Sequence, residues 1–280
     1  MKFLIGFLFL IGLTGVANAQ FYYKDIISTR QNIAKWQAYK ATRVKSVRVN
    51  SFEADGQSTE GFQLDETVNS YFSGMTTHSK ANGATETWIF AAYSPEGLLT
   101  AITDTSDTYE STSTYRYDDK GRLKSITNTS TERDNHVTAV EIHLWQYGAS
   151  GDQPTGMLKI VNNTDTTDVR FVPDEKGNIG EEHATRAGVA LPVIYYYYDD
   201  NNRLTDIVRY NLKAQRLLPD NIFTYGEDGK LTALLAVQEG AASYQKWIYN
   251  YDDKGLRIKE SCYSKERELL GHIEYQYTYK

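Results

Sequence analysis

Tyrosine is the side chain of this sequence with the clearest capacity for ligand chemistry. The chain has 22 tyrosines among 280 residues, and Tyr195, Tyr196, Tyr197 and Tyr198 are consecutive. A tyrosine ring offers flat apolar area beside a hydroxyl, a combination that suits sugars and peptides. Side chains alternate between the faces of a strand, so Tyr195 and Tyr197 lie opposite to Tyr196 and Tyr198. The sequence therefore predicts either a tyrosine-lined binding face or tyrosines that only pack the sheet.

A ligand of this chain should contact repeated aromatic positions rather than a single loop. We predict that Tyr195 and Tyr197 bind it, together with Trp145 and Trp247 on neighbouring strands. The expected ligand is a glycan or a protein of the cell envelope.

Catalytic chemistry has weaker support. The five histidines are scattered, and nucleophile-elbow and P-loop motifs are absent. Paired aspartates such as Asp118-Asp119 recur with a turn, where Asp caps its own backbone, whereas catalysis needs one asymmetric site. We predict no catalytic residue, no cofactor and no metal site. An enzyme with a site assembled across repeats stays open.

Two groups of acidic residues could supply calcium ligands. They are Asp104, Asp107 and Glu110, and Asp165 with Asp168. Calcium takes six to eight oxygen ligands, and no glycine-punctuated calcium motif is present. The sequence favours solvated loops over ion sites.

A short cassette must position these side chains. Its second tyrosine, taken as the anchor, recurs at steps of 24 to 30 residues, which indicates a repeat architecture. The cassette is most complete at Tyr115-Arg116-Tyr117-Asp118-Asp119-Lys120-Gly121-Arg122-Leu123. The eight anchor positions are Tyr93, Tyr117, Tyr147, Pro173, Tyr198, Tyr225, Tyr251 and Tyr277.

The fourth residue after the anchor predicts the turn. It is glycine in six copies and Asn202 in one, and these residue types best tolerate a left-handed backbone. Turn formers precede it, which indicates a type I turn followed by a bulge residue at positive φ. If Asp118 pairs with Arg122 across this turn, Tyr117 faces Leu123 and Tyr115 faces Ser125 on the neighbouring strand. The apolar residues nine after the anchor are then expected on the other face; they are Ile102, Ile126, Ile207 and Leu234.

Two strands in each repeat give roughly fourteen to sixteen strands, more than an open twisted sheet usually carries without curling. The predicted fold class is all-β: an antiparallel β-meander of about 26-residue repeats, curled into a shell, half-barrel or barrel.

The segments at Tyr117-Asp118-x-x-Gly121-Arg122-Leu123, Tyr198-Asp199-x-x-Asn202-Arg203-Leu204 and Tyr251-Asp252-x-x-Gly255 resemble the YD repeats of the Rhs and wall-associated protein group. The resemblance covers about residues 85–280. It implies a curled β-sheet shell on an exported bacterial protein, and some members are credited with carbohydrate binding. The self-cleavage segment and toxin domain of long Rhs proteins have no counterpart here, so the toxin-carrier role does not carry over.

The first 19 residues predict a signal peptide. Lys2 precedes an apolar run over residues 3–16, and Ala17-Asn18-Ala19 is a small-x-small cleavage site. The expected location is the periplasm, the cell surface or the exterior of a Gram-negative bacterium, with no membrane span after signal cleavage. A net charge of −6 without a basic run argues against nucleic acid. Cys262 is the only cysteine, so no disulfide framework is expected.

The predicted organisation has three parts: the signal peptide at 1–19, an N-terminal cap at 20–84 and the repeat domain at 85–280. The cap should contain a short helix over Thr29–Ala41, with Ile33, Trp36 and Lys40 on a shared face, and a degenerate cassette at 52–56. The predicted function is a non-enzymatic binding module of the envelope. The alternative is an outer-membrane β-barrel, whose signal peptide, tight turns and strand lengths would look similar.

Overall fold

The computed structural model describes residues 21–149, 151–237 and 243–280. The predicted signal peptide lies outside these residues. Within the described residues the structure has one helix and nineteen strands. The elements in chain order are α1(Lys24–Thr42), β1(Val44–Glu53), β2(Gln63–Val68), β3(Gly74–Lys80), β4(Thr87–Tyr93), β5(Leu99–Ser106), β6(Tyr109–Tyr117), β7(Leu123–Glu132), β8(Thr138–Tyr147), β9(Pro154–Val161), β10(Asp165–Pro173), β11(Ile179–Arg186), β12(Val189–Ala190), β13(Ile194–Tyr198), β14(Leu204–Asn211), β15(Arg216–Tyr225), β16(Leu231–Val237), β17(Tyr244–Tyr251), β18(Arg257–Tyr263) and β19(Leu269–Tyr279).

The strands form one closed antiparallel barrel. Apart from β12, each strand pairs with the next strand in sequence; β11 pairs directly with β13, and β19 pairs back onto β1. The two-residue β12 pairs only with β11, so eighteen strands make the ring. The predicted meander is confirmed and is closed. It holds more strands than expected because residues 44–80 contribute β1, β2 and β3 to the ring.

The cassette turns have the predicted backbone. Gly121 has φ 74° and Asn202 has φ 57°, both in the left-handed region. Asp118 accepts hydrogen bonds from the backbone N–H groups of Lys120 and Arg122, at 3.0 and 2.9 Å, and from Arg122 Nε at 2.7 Å. The aspartate of the cassette thus stabilises the turn in which it lies, as the sequence predicted.

One register prediction is wrong. Tyr117 faces Leu123 as expected, but Tyr115 faces Ile126 rather than Ser125. A register shift at the anchor inserts one extra residue, and this reverses the side-chain parity of the return strand. The residues nine after the anchor therefore join the inner face, where Ile102, Ile207 and Leu234 are buried.

The anchor tyrosines connect successive repeats. The hydroxyl of Tyr147 donates to the carbonyl of Leu123 at 2.9 Å, and the hydroxyl of Tyr225 donates to that of Leu204 at 2.8 Å. The same bond recurs from Tyr117, Tyr251 and Tyr277 to the preceding repeat. These five hydroxyls are satisfied in this way, and the cassettes bond to one another along one end of the barrel.

The predicted helix is confirmed and starts earlier, at Lys24. Near its first turn Tyr23 and Ile26 pack against residues of β7 to β14, whereas Trp36 and Tyr39 pack against residues of β1, β2, β4, β5 and β19. These strand groups lie on opposite sides of the ring. A helix of 19 residues is about 28 Å long, so α1 crosses the barrel. Lys40 is exposed, and Tyr39 takes the buried position instead.

Charged contacts hold the start of α1 against the inner wall. Asp25 Oδ2 lies 2.5 Å from His143 Nδ1, and the other ring nitrogen of His143 lies 2.9 Å from Glu141. Lys159 completes the group at 2.7 Å from Glu141. Burial alone would lower the pKa of His143, but its bonds to Asp25 and Glu141 outweigh burial and raise that pKa to about 9.

Two further buried carboxylates contact the N-terminal segment. Glu182 is 1% exposed and accepts hydrogen bonds from the backbone N–H groups of Tyr22 and Tyr23 and from the Tyr196 hydroxyl. Burial raises the pKa of Glu182 despite these donors. Glu66 accepts from Lys35 and Tyr39 nearer the helix end. These contacts fix α1 at both walls.

Gly121→Ala should destabilise the fold by about 1 kcal/mol or more, and Gly255→Ala should do the same, because a Cβ is disfavoured at positive φ. At Gly121 no atom lies within 4 Å of an added Cβ, so the cost comes from the backbone alone. Asn202→Gly is the matched control and should be neutral or stabilising. Thermal unfolding of the three variants measures this; unchanged Gly→Ala variants would contradict the turn assignment.

Candidate functional site

The four aromatic residues predicted to bind a ligand lie on both faces of the barrel wall. Tyr195 and Tyr197 face outward, and Tyr197 is 47% exposed. Trp145 faces inward, is 5% exposed and stacks on Phe171 with ring centroids 5.7 Å apart. Trp247 also faces inward, opposite buried Cys262. The structure therefore brings the tyrosines together and separates them from the tryptophans.

The acidic residues considered for calcium do not converge. Asp104 faces inward and accepts a hydrogen bond from Tyr109 at 2.9 Å, whereas Glu110 faces outward beside Arg133. Asp165 pairs with Arg186 across β10 and β11. Among the described residues, no group of three or more histidine, cysteine or acidic side chains is placed to hold a metal ion.

A different constellation lies on the outer face of β1 to β4. Strand register places Arg48, Asp65, His78 and Trp88 side by side in one row across these four strands. Directly paired residues point to the same face, with Cβ atoms about 5 Å apart. The row therefore forms a continuous surface that runs from a cation through a carboxylate and an imidazole to an indole.

An aromatic platform ends this row. Trp88 is 41% exposed, and its ring stacks on His78 with centroids 4.1 Å apart and planes 19° apart. Glu86 Oε1 lies 2.5 Å from His78 Nε2, which fixes the orientation of the imidazole. Phe90, two residues along the strand, is 45% exposed on the same face. The indole is thus held in place while its outer surface stays open to solvent.

A cleft of about 330 Å³ adjoins the row. It lies where β1 pairs with β2, beside the connection 54–62. Its lining residues are Arg48, Val49, Asn50, Phe62, Gln63, Leu64 and Asp65. The volume falls within the range of small-ligand sites. Phe52, stacked on His272 at 4.7 Å, flanks the cleft on the side away from Trp88.

Asp65 supplies a fixed negative charge to the cleft. Partial burial alone would raise its pKa, but the hydrogen bonds from Gln63 and Arg48, at 2.8 and 2.9 Å, hold that pKa below its usual value. The carboxylate is therefore ionised and ready to accept hydrogen bonds. Gln63 and Arg48 add planar groups with N–H donors to the same cleft.

The arrangement can bind a ligand with one apolar face and several hydroxyls. Sequence reasoning did not find it, because its residues lie outside the cassettes and come from four strands. Two large aromatic residues, Trp88 and Phe90, on the same face of Thr87–Tyr93 were the only local signal. Pairing with His78 and Asp65 depends on strand register, which the irregular spacing of this segment does not reveal.

Residues 93–133 match the family model described as RHS Repeat. The resemblance to YD repeats is confirmed on these residues, which span β5, β6 and β7 with their cassette turn. No curated protein sequence matches the chain. In the described part of the chain, no helix is long and apolar enough to cross a membrane.

Several solved structures are similar at low identity. A porin-like protein from Bacteroides uniformis is 10% identical with a TM-score of 0.42, over 85% of this chain and 97% of that one. The TcdB2-TccC3-Cdc42 structure is 14% identical with a TM-score of 0.34, over 77% of this chain and 12% of that one. The Photorhabdus luminescens Tc holotoxin pore is 12% identical with a TM-score of 0.30, over 78% of this chain and 16% of that one. This chain thus spans less than a fifth of the two toxin chains.

Proposed function

We propose that this chain is an exported, non-enzymatic β-repeat module that binds a glycan at the cell envelope. One observation carries the proposal: an exposed tryptophan platform, Trp88 on His78, stands beside a polar cleft built around an ionised Asp65. The binding site is the outer face of β1 to β4.

The chemistry of this surface matches a sugar. A pyranose ring presents a face of C–H groups that packs on an aromatic ring, and its hydroxyls both donate and accept. Trp88 offers the ring, and Asp65 offers an acceptor that is already oriented by Arg48 and Gln63. Asn50 adds a side chain that both donates and accepts. Because these groups are fixed by neighbours, binding loses little side-chain freedom.

The alternative is an outer-membrane barrel. The charged side chains on the outer wall favour contact with water over contact with lipid. Asp168 and Arg170 lie on the outer face of β10, and Lys259 pairs with Glu274 across β18 and β19 at 3.1 Å. Charged residues in a lipid-facing band cost about 2–4 kcal/mol each at the bilayer midplane. The apolar clusters lie on the inner wall around α1, as in a water-soluble protein. An envelope location agrees with the predicted signal peptide.

Binding should depend on Trp88 and not on the outer tyrosines. Screening the mature protein on an array of bacterial and plant glycans supplies a ligand, and titration calorimetry measures its affinity. Trp88→Ala should weaken binding about tenfold or more and leave the melting temperature nearly unchanged, because an exposed contact aromatic contributes about 1–3 kcal/mol to binding.

Tyr197→Ala is the matched control, since Tyr197 has similar exposure on a distant part of the outer wall. Asp65→Asn should also weaken binding by removing the charge and keeping the shape. If Tyr197→Ala abolishes binding and Trp88→Ala does not, the tyrosine face predicted from the sequence is the site and the cleft is not. Absence of any glycan ligand would contradict the proposed function itself.

A further inference from the structure

The free face of the Trp88 indole lies over β5, on the side away from the cleft. Trp88 and His78 are directly paired on β4 and β3, and their ring centroids are 4.1 Å apart. Neighbouring strands are about 4.8 Å apart, so two rings that stack at this distance stand on the wall and face each other across the gap between the strands. His78 therefore covers one face of the indole. The opposite face belongs to a side chain that is 41% exposed.

A short side chain lies below this free face. Thr105 on β5 is directly paired with Trp88, and Glu110 on β6 is directly paired with Thr105. A threonine extends less far from the wall than a tryptophan or a glutamate, so the three side chains form a slot that is open to solvent. The strands that carry its two sides are about 10 Å apart, which leaves room for one sugar ring against the indole. We call Trp88, Thr105, Glu110 and Arg133 the slot.

Arg133 supplies hydrogen-bond donors to the slot. It lies in the connection between β7 and β8, where its backbone N–H donates to the carbonyl of Thr108 at 2.9 Å. Its Nη2 donates to the Thr105 hydroxyl at 2.6 Å and lies 3.4 Å from Glu110 Oε2. Within the described residues both side-chain contacts use Nη2, so the hydrogens on Nε and Nη1 are available to a ligand. The exposed Glu110 carboxylate adds an acceptor.

The slot has the same polar chemistry as the cleft on the other side of the indole. In the cleft, Arg48 Nε donates to Asp65 at 2.9 Å. In the slot, Arg133 lies beside Glu110. Each pair combines a planar group of N–H donors with a carboxylate acceptor, and together these groups can bind hydroxyls that both donate and accept. The indole and its stacked imidazole stand between the two pairs.

We propose that the slot is a second sugar subsite, and that the ligand is a linear oligosaccharide of at least three units that occupies the cleft and the slot together. This inference rests on the proposed glycan-binding function. Asp65 and Thr105 lie three strand spacings apart, about 14 Å, which is farther than one sugar ring reaches. Rotation about the glycosidic bonds lets such a chain follow the curvature of the barrel wall.

Each subsite binds its sugar unit in a different way. The unit in the slot packs its C–H face on the free face of the indole, and Arg133 and Glu110 bind its hydroxyls. The unit in the cleft hydrogen-bonds to Asp65 and Arg48. A unit between them crosses the upper edges of the two stacked rings. Sugars with equatorial substituents fit best, because their C–H faces are flat.

Titration calorimetry with oligosaccharides of graded length tests the two subsites. The probes are cello-, xylo- and chito-oligosaccharides of two to five units, and the variants of the mature protein are Asp65→Asn and Arg133→Ala. A bound tetrasaccharide contacts both subsites, so each variant should lower its affinity at least tenfold. A disaccharide contacts one subsite only, so only one of the two variants should weaken its binding. Both side chains lie on the outer face, and the melting temperatures should stay close to that of wild type.

Arg116→Ala is the matched control, because Arg116 is an exposed arginine on the outer face of β6, six residues and about 20 Å from Glu110. It should bind the tetrasaccharide as wild type does.

Three results would overturn the inference. In the first, Arg133→Ala binds the tetrasaccharide as wild type does while Trp88→Ala and Asp65→Asn bind it more weakly; the proposed function then stands with the cleft alone. In the second, Asp65→Asn and Arg133→Ala both weaken the disaccharide, which means that the two subsites are not separate. In the third, none of the probes binds; a glycan array without any ligand would then contradict the proposed function as well.

Discussion

Trp36→Ala should lower the free energy of unfolding by about 3–5 kcal/mol, the largest loss we expect from a single truncation in this chain. Trp36 is 1% exposed on α1 and stacks on Tyr93 with centroids 4.1 Å apart and planes 1° apart. Phe72 lies edge-on to the same ring. Because the barrel wall is closed by hydrogen bonds, it cannot collapse into the cavity that truncation leaves.

Urea denaturation of the mature protein measures this loss. Tyr71→Ala is the matched control, since Tyr71 is 90% exposed in the connection between β2 and β3 and should change stability by less than about 0.5 kcal/mol. Trp36→Phe keeps part of the packing, so its loss of unfolding free energy should lie between those of Trp36→Ala and Tyr71→Ala. If Trp36→Ala unfolds like the control, α1 does not pack across the barrel and the eighteen strands are stable without it.

The repeat explains how much of this fold could be predicted from the sequence. Gly or Asn at the fourth position after the anchor defines a backbone conformation, and this conformation defines the hairpin. Seven hairpins with one turn chemistry predict a meander that curls, because neighbouring strands in a sheet twist in one sense. Closure itself depends on β1, which pairs with β19 across more than 200 residues of sequence. No local pattern in Val44–Glu53 indicates that partner.

The inner and outer faces were harder to assign, because one extra residue at each anchor reverses parity. Counting from Tyr117 by twos assigns Ile126 to the wrong face, although Ile126 packs with the inner cluster. The binding candidates were separated by alternation alone: Tyr197 lies one residue before its anchor and Trp145 lies two before its own, so the two side chains face opposite sides. A site assembled from neighbouring strands, such as Asp65, His78 and Trp88, can be recognised only once register is known.

Raising the pH from about 6.5 to 9 should destabilise the protein by about 3 kcal/mol through His143. The pKa of His143 rises from 6.5 to about 9 on folding, so the folded state holds this proton more tightly than the unfolded state does. The stabilisation is therefore complete below pH 6.5 and is lost as the pH rises through 9. The Asp25 and Glu141 carboxylates, which cause the shift, then have no cation between them except Lys159.

Urea denaturation at several pH values compares wild type with His143→Gln, which cannot bind the proton. The difference between the two should shrink as the pH rises, and this comparison removes other groups that titrate in the range. His136→Gln is the control, since His136 is exposed in the connection between β7 and β8. It should follow the wild-type curve. A difference between wild type and His143→Gln that stays constant from pH 6 to 9 would mean that His143 is not protonated between Asp25 and Glu141. The first turn of α1 would then be held mainly by Glu182 and by packing.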